Sequence, residues 1–336
     1  MRAIRFDGAR VVLDQRADVP LPGPGEAVIR PTRMAVSAYD AMLASPGARP
    51  DVPRDAGLLT LGHRFVGIVE SLGDSADKDL KKTWLGKRVT GAINIVCSRC
   101  DLCRAGLASH CRARRVLGIQ SWDGCFAERV KLPLRNLCEV PREVHDDAAV
   151  FAEPLAAAIH AGQLVRVEGK TYVTILGDSI DALLCAQVLA KLNASVRLLG
   201  TRPERFGLCE KWGIKHRHAG EVGRRNDQDI VIDCTATPQG LQLALGLVRP
   251  RGKIVLRNEL RPSGSEPLPA KGEPADLSLI VANEIELFGA RCGTIADAIA
   301  TLSRGEVDVL SLIGKRMKLA DGPAALTAGS GTLVET

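Results

Sequence analysis

Over the first 140 residues, apolar positions come in short runs cut by proline, glycine or charge: AIRF (3–6), VVL (11–13), EAVIRPTR (26–33), RFVGIVES (64–71), KRVTGA (87–92) and AERVKL (127–132). Runs of this length and spacing predict short β-strands of a barrel-like or folded sheet. Pro20, Pro22, Pro24 and Gly25 form the first long turn, and 49–57 reads as an exposed loop. Near Asp146 the pattern changes. Asp146 and Asp147 supply an acidic start for AAVFAEPLAAAIHA (148–161), a mostly apolar helix that Pro154 is expected to kink, bridging two domains.

From residue 171 strands and helices alternate: strand 171–176, helix 180–192, strand 195–199, helix 203–212, strand 229–234, helix 239–248, strand 252–257. Such alternation predicts a doubly wound parallel sheet of the dinucleotide-binding kind. The polar, proline-rich run 260–276 reads as an excursion and IELFG (285–289) as the last strand. The tail from 291 to 336 should return to the first domain and ends in a weak, small-residue sequence. The fold class is therefore α/β, with a β-rich domain over 1–150 and 291–336 and a dinucleotide-binding domain over 151–290.

Composition changes this picture little. The chain has 336 residues, 46% hydrophobic and 25% charged, as in ordinary globular proteins. A net charge of +6 with only 3% aromatics suits a small anionic ligand and offers nucleic-acid bases little to stack on. No charged-then-apolar leader and no membrane-length apolar run is seen, so a cytoplasmic protein is expected, with neither nucleic acid nor membrane as partner.

The ten cysteines are more informative. Four of them, Cys97, Cys100, Cys103 and Cys111, fall in CSRCDLCRAGLASHC (97–111), where two-residue gaps let sulfurs converge on one tetrahedral zinc. Four protein ligands leave no position for substrate, so this is a structural site in a lobe of about 94–115. Two disulfides or unrelated thiols are the competing reading. Cys125, Cys138, Cys185, Cys209, Cys234 and Cys292 read as buried thiols.

Four landmarks in order, VSAYDA (36–41), GHRFVG (62–67), the cysteine lobe and EPLA (153–156), make the chain resemble the zinc-containing medium-chain dehydrogenase/reductase superfamily, the alcohol and sorbitol dehydrogenase group. The resemblance implies a GroES-like catalytic domain with an inserted Rossmann domain. It also implies hydride transfer between a nicotinamide cofactor and an alcohol or carbonyl, and a homodimer or homotetramer with 285–289 as the contact strand.

At the cofactor turn the pattern G-x-G-x-x-G/A is met by Gly177, Asp178, Ser179, Ile180, Asp181 and Ala182, with Ser179 where the middle glycine belongs. A capped strand-to-helix turn is the alternative. Some twenty residues on, where NAD enzymes place an acid for the ribose hydroxyls, stand Gly200, Thr201 and Arg202, with Arg205 following. Loss of the acid removes repulsion against a 2′-phosphate that Thr201 and Arg202 can bind, so NADP(H) is favoured over NAD(H). A solvated helix start is the alternative. Thr235 and Arg291 resemble cofactor contacts of relatives.

The catalytic positions depart from the family. Ser37 stands where relatives have a zinc-binding cysteine, Tyr39 where they have the relay hydroxyl, Asp40 where the acid is kept, and His63 where they have a histidine ligand. Arg64 replaces the following glutamate, and Glu153 is the distal ligand. Ser37 removes a thiolate. Arg64 at about 5 Å would repel a dication by roughly 6 to 7 kcal/mol at an effective dielectric near 20, against a zinc-binding free energy of about 10 to 16 kcal/mol. Three readings follow: an NADPH-dependent oxidoreductase without a tightly bound catalytic zinc, an ordinary zinc-dependent alcohol or polyol dehydrogenase with a labile ion, and a non-catalytic NADPH-binding sensor.

Overall fold

The structure, a computed structural model, describes residues 1–44, 58–74, 77–168, 170–192, 194–223, 225–257 and 276–336. The loop expected over 49–57 and nearly all of the excursion expected over 260–276 lie outside these residues.

Among the described residues, the first sheet runs in the order Leu137–Glu139, Arg88–Gly91, Phe65–Leu72, Glu26–Ala35, Leu333–Glu335, Arg316–Lys318, with Val130–Pro133 also on Glu26–Ala35. Register shifts at Val28/Ile29 and Pro31/Arg33 bend the long strand, and the second accommodates a proline that has no N–H to give the ladder. The bend wraps the strands around Ile4, Phe6, Ile29, Met34, Phe65 and Leu132, all essentially inaccessible to solvent. A small sheet of Asn94–Ile95, Arg115–Leu117 and Ser121–Trp122 carries the cysteine lobe between its first two strands.

The second sheet is parallel throughout, in the order Lys215–His218, Ser195–Gly200, Tyr172–Leu176, Gln228–Asp233, Val248–Leu256, Glu286–Gly289. Strand order reverses beside Tyr172–Leu176, which opens the crevice where doubly wound folds bind ligands. One face packs on the helices Ala152–Gln163, Ile180–Lys191 and Ile295–Ser303, the other on Pro238–Leu247.

Two sequence expectations need correction, and one strand lies where the pattern predicts none. Pro154 does not kink a helix: the chain forms Asp146–Ala149, turns at Val150 and Phe151, and restarts as Ala152–Gln163. Pro154 sits in the first turn of the new helix, where a missing N–H costs nothing. The tail is not weak, because Leu333–Glu335 lies inside the first sheet with Leu333 and Val334 buried. Lys215–His218 is a strand although KHRH has no apolar residue, because edge position supplies the pairing that burial elsewhere supplies.

Candidate active site

In the lobe, a short helix Asp101–Arg104 and a 3₁₀ turn Ala108–His110 bring all four cysteine sulfurs within 4.8 Å of one another. Cys111 Sγ lies 3.5 Å from Cys97 Sγ and 3.9 Å from Cys100 Sγ, and all four thiols are free. Tetrahedral zinc with 2.3 Å bonds spaces its sulfurs by about 3.8 Å. The backbone amides of Cys103 and Arg112 draw the Cys100 thiol down to about 6, whereas burial and the neighbouring sulfurs push Cys103 up to about 12. Crowded thiols thus resist joint ionisation until a cation shares their charge. The donor set and spacing fit zinc.

The catalytic positions converge at the foot of the crevice. Ser37 N-caps the helix Ala38–Leu43 in a capping box: its Oγ accepts from the Asp40 amide at 3.1 Å and donates to Asp40 Oδ2 at 2.7 Å, and its N–H donates to the same oxygen at 2.9 Å. Ser37 is therefore spent on its own helix. Asp40 is fully buried, and its other oxygen, Oδ1, has no hydrogen-bond partner. It faces His63 Nδ1 at 3.8 Å, which is also without a partner. Tyr39, on the same helix as Asp40, is half-buried against the core of the first sheet.

Arg64 points to Glu153, with Nε donating to Oε2 at 3.0 Å. Its Nη2 is 3.7 Å from Asp181 Oδ1, and Arg257 Nη2 is 3.5 Å from that same oxygen. Glu153, Arg64, Asp181 and Arg257 form one chain of ion pairs whose side chains are at most 15% exposed. Burial opposes the charge on Arg257, but Asp181, the thiols of Cys185 and Cys234, and Glu153 outweigh it and hold its pKa above the ordinary value. Sequence reasoning missed Asp181 and Arg257. The only signal was an acid in the glycine-rich turn and an arginine closing an apolar strand. Burial, then Asp40, push the Cys125 thiol well above its ordinary value.

At the cofactor turn, Gly177 adopts φ +103°, which favours glycine, and Ser179 N-caps the helix Ile180–Lys191 through the Ala182 amide at 3.2 Å. The Ile180 side chain is buried in the core under the C-terminal segment. Asp178 does not face solvent. Its Oδ2 accepts from the amides of Thr201 at 2.7 Å and Arg202 at 2.9 Å, and its Oδ1 accepts from Arg202 Nε at 2.7 Å. Burial alone would raise the Asp178 pKa, but Arg202 and the two amides hold it below the usual carboxylate range. Gly200 is required here, since a Cβ would lie 2.8 Å from Asp178 Oδ2. Arg205 ends the 3₁₀ turn that follows, half-buried. Thr235 donates its hydroxyl to Asp233 Oδ1 at 2.6 Å. Arg291 follows the strand Glu286–Gly289. The turn, the helix N-terminus and the switch of strand order fit a dinucleotide pyrophosphate.

The alcohol dehydrogenase GroES-like domain family matches residues 23–142. An L-threonine 3-dehydrogenase of Mesorhizobium japonicum is 31% identical over 334 residues, covering 93% of this chain and 92% of its own. The chain belongs to the zinc-containing medium-chain dehydrogenase/reductase superfamily. Two solved structures share the fold. A protein described as a zinc-binding dehydrogenase from Sinorhizobium meliloti 1021, bound to NADP, superposes with TM-score 0.84 at 25% identity, covering 100% and 99% of the two chains. An Escherichia coli CFT073 alcohol dehydrogenase complexed with NADH superposes with TM-score 0.83 at 21% identity, covering 100% and 99%.

Within this medium-chain dehydrogenase/reductase fold the lobe matches a zinc-type dehydrogenase, while the position of the second ion does not. Among the described residues the four-cysteine cluster is the one group with three or more metal-type side chains in reach. Ser37 is bound to Asp40 and Glu153 to Arg64, so two of the three positions expected to hold a catalytic zinc are engaged by other side chains, and only His63 is left without a partner.

Proposed function

We propose that this oxidoreductase transfers hydride between NADP(H) and an alcohol or carbonyl substrate without a catalytic zinc, using Arg64 as the fixed cation of the site. The observation that carries this reading is the 3.0 Å bond from Arg64 Nε to Glu153 Oε2, which puts a permanent positive charge on the one carboxylate left from the metal shell. A bound nicotinamide supplies or accepts the hydride. Tyr39 gives and takes the substrate proton, and His63 polarises the oxygen, with the buried Asp40 carboxylate facing its Nδ1 at 3.8 Å. The site lies between a catalytic unit, residues 1–150 and 291–336, and a cofactor unit, residues 151–290. Cys97, Cys100, Cys103 and Cys111 hold one structural zinc per chain.

NADP(H) is favoured because the strand end carries Gly200 in place of an acid of its own, Thr201, Arg202 and Arg205 stand beside it, and Arg202 balances the Asp178 carboxylate that reaches it from the glycine-rich turn. A 2′-phosphate there shares Arg202 with Asp178. The outer edge of Glu286–Gly289, where Leu287 is exposed, is the proposed contact of a homodimer or homotetramer. A second reading, a cofactor-binding sensor without turnover, draws support from the ion pairs that already engage Arg64, Glu153, Asp181 and Arg257. Metal analysis with parallel NADPH and NADH titrations and a carbonyl panel tests the proposal. One zinc, tighter NADPH and measurable oxidation support it, while two zincs per chain overturn its metal-free chemistry. Tight NADPH binding with no oxidation favours the sensor.

A further inference from the structure

On the edge of the parallel sheet, back from the cofactor end of its strands, a cavity of about 650 Å³ is lined by Arg197, Lys215, Arg217 and Arg225. Arg197 lies opposite Lys215 in the strand register, three residues before Gly200, which is about 10 Å back along the strand from the cofactor end. Among the described residues, none of these four cations has an ion-pair partner within 4.0 Å. The acids that share the cavity are otherwise engaged: Glu210 Oε1 faces His216 Nε2 at 3.6 Å, and Asp227 Oδ1 accepts from Gln228 Nε2 at 2.6 Å.

Arg197 is the half-buried member. Its Nη2 donates to Thr174 Oγ1 at 3.1 Å, and its buried Nε has no partner. Burial lowers its pKa, Asp227 opposes that, and Arg217 and Arg225 add to it. Four like charges around a concave surface, one with an unsatisfied donor, is the arrangement an anion relieves. The volume falls within the range of small-molecule sites.

We propose that this cavity is a second ligand site, separate from the cofactor crevice, for a small phosphate-bearing anion. The ligand's oxygens bind the guanidinium groups of Arg197, Arg217 and Arg225 through charge-assisted hydrogen bonds, and Lys215 adds a point charge.

The test is calorimetric titration of the full-length zinc-loaded protein, saturated with NADPH, using inorganic pyrophosphate at about 0.15 M ionic strength, where surface charges act over about 8 Å. One pyrophosphate should bind per chain. The exposed double variant R217S/R225S should weaken it by roughly tenfold or more while leaving NADPH affinity unchanged. R197M should do the same, with the double variant keeping the test decisive if R197M does not fold. Equal binding by wild type and double variant, absence of saturable heat, or pyrophosphate displaced by NADPH would each overturn the proposal. So would a single-stranded oligonucleotide binding through the same arginines when pyrophosphate does not.

Discussion

Replacing Arg64 by glutamine keeps its approximate reach and removes its charge. At 3.0 Å and an effective dielectric near 20, the attraction between Arg64 and Glu153 is about 5 to 6 kcal/mol before the desolvation of either group is counted. Breaking one partner of a buried pair typically costs about 3 to 5 kcal/mol. Because Glu153 is 15% exposed in its side chain, the lower end applies, and R64Q should lose about 3 kcal/mol of stability. Urea denaturation of R64Q, E153Q and R64Q/E153Q closes a double-mutant cycle, in which the double variant should lose about 1 to 3 kcal/mol less than the sum of the singles. Strict additivity would refute the idea that the guanidinium holds this carboxylate. The same reasoning predicts a gain of function. The S37C/R64E variant restores a thiolate and an acid beside His63 and Glu153, and its zinc content should rise from one to two per chain by metal analysis. R64Q alone, which still lacks the thiolate, should stay at one.

Three other outcomes follow from the geometry. C100S removes the sulfur whose thiol is drawn down to about 6, so the purified protein should lose the proposed structural zinc and unfold at lower temperature, as a chelator should also make the wild type do. D178N releases Arg202 from its carboxylate, so the NADPH-to-NADH affinity ratio should rise by roughly tenfold, whereas R202L should lower it by a similar factor with NADH binding unchanged. Asp147 is bound by Arg316 and Arg33, which hold its pKa below the unfolded value despite burial. Its contribution is therefore complete above the unfolded carboxylate pKa near 4 and lost as pH falls through the lower folded value. D147N should be less stable than wild type at neutral pH, and the gap should narrow in melts recorded below about pH 4.

What the sequence disclosed and what it withheld divide along physical lines. Alternation after residue 171 was readable because strands covered on both faces read as mostly apolar runs, as in TYVTIL and DIVIDC. The cysteine lobe was readable because zinc imposes its own spacing. KHRH hid a strand because an edge strand is held by backbone pairing, to which periodicity is blind. Pro154 misled because its effect depends on whether it falls inside a helix or in its first turn. Within the site, the change at Arg64 was plain, and its bond to Glu153 follows from charge. The bond of Asp178 to Arg202 was not, since it joins two residues each read as a cofactor contact and depends on Gly200 leaving room between them.

Charge explains why the substitutions at 37 and 64 belong together. In the pattern of relatives, a cysteine thiolate, a glutamate after the histidine and the distal carboxylate put three negative charges around a dication, leaving a net of about −1. Here Ser37 is neutral, and Arg64 and Glu153 cancel, so the cluster reaches near-neutrality with no ion. Either change alone is unfavourable. Serine with the old glutamate would leave two carboxylates facing a metal without its strongest ligand, and arginine with the old thiolate would set a fixed cation against zinc. Under the proposed function, the two together exchange a mobile dication for a tethered guanidinium. That cation stays in place under any chelator, so cleft stability should be indifferent to chelation once the lobe is accounted for. A chelator effect on R64Q larger than on wild type would contradict this exchange.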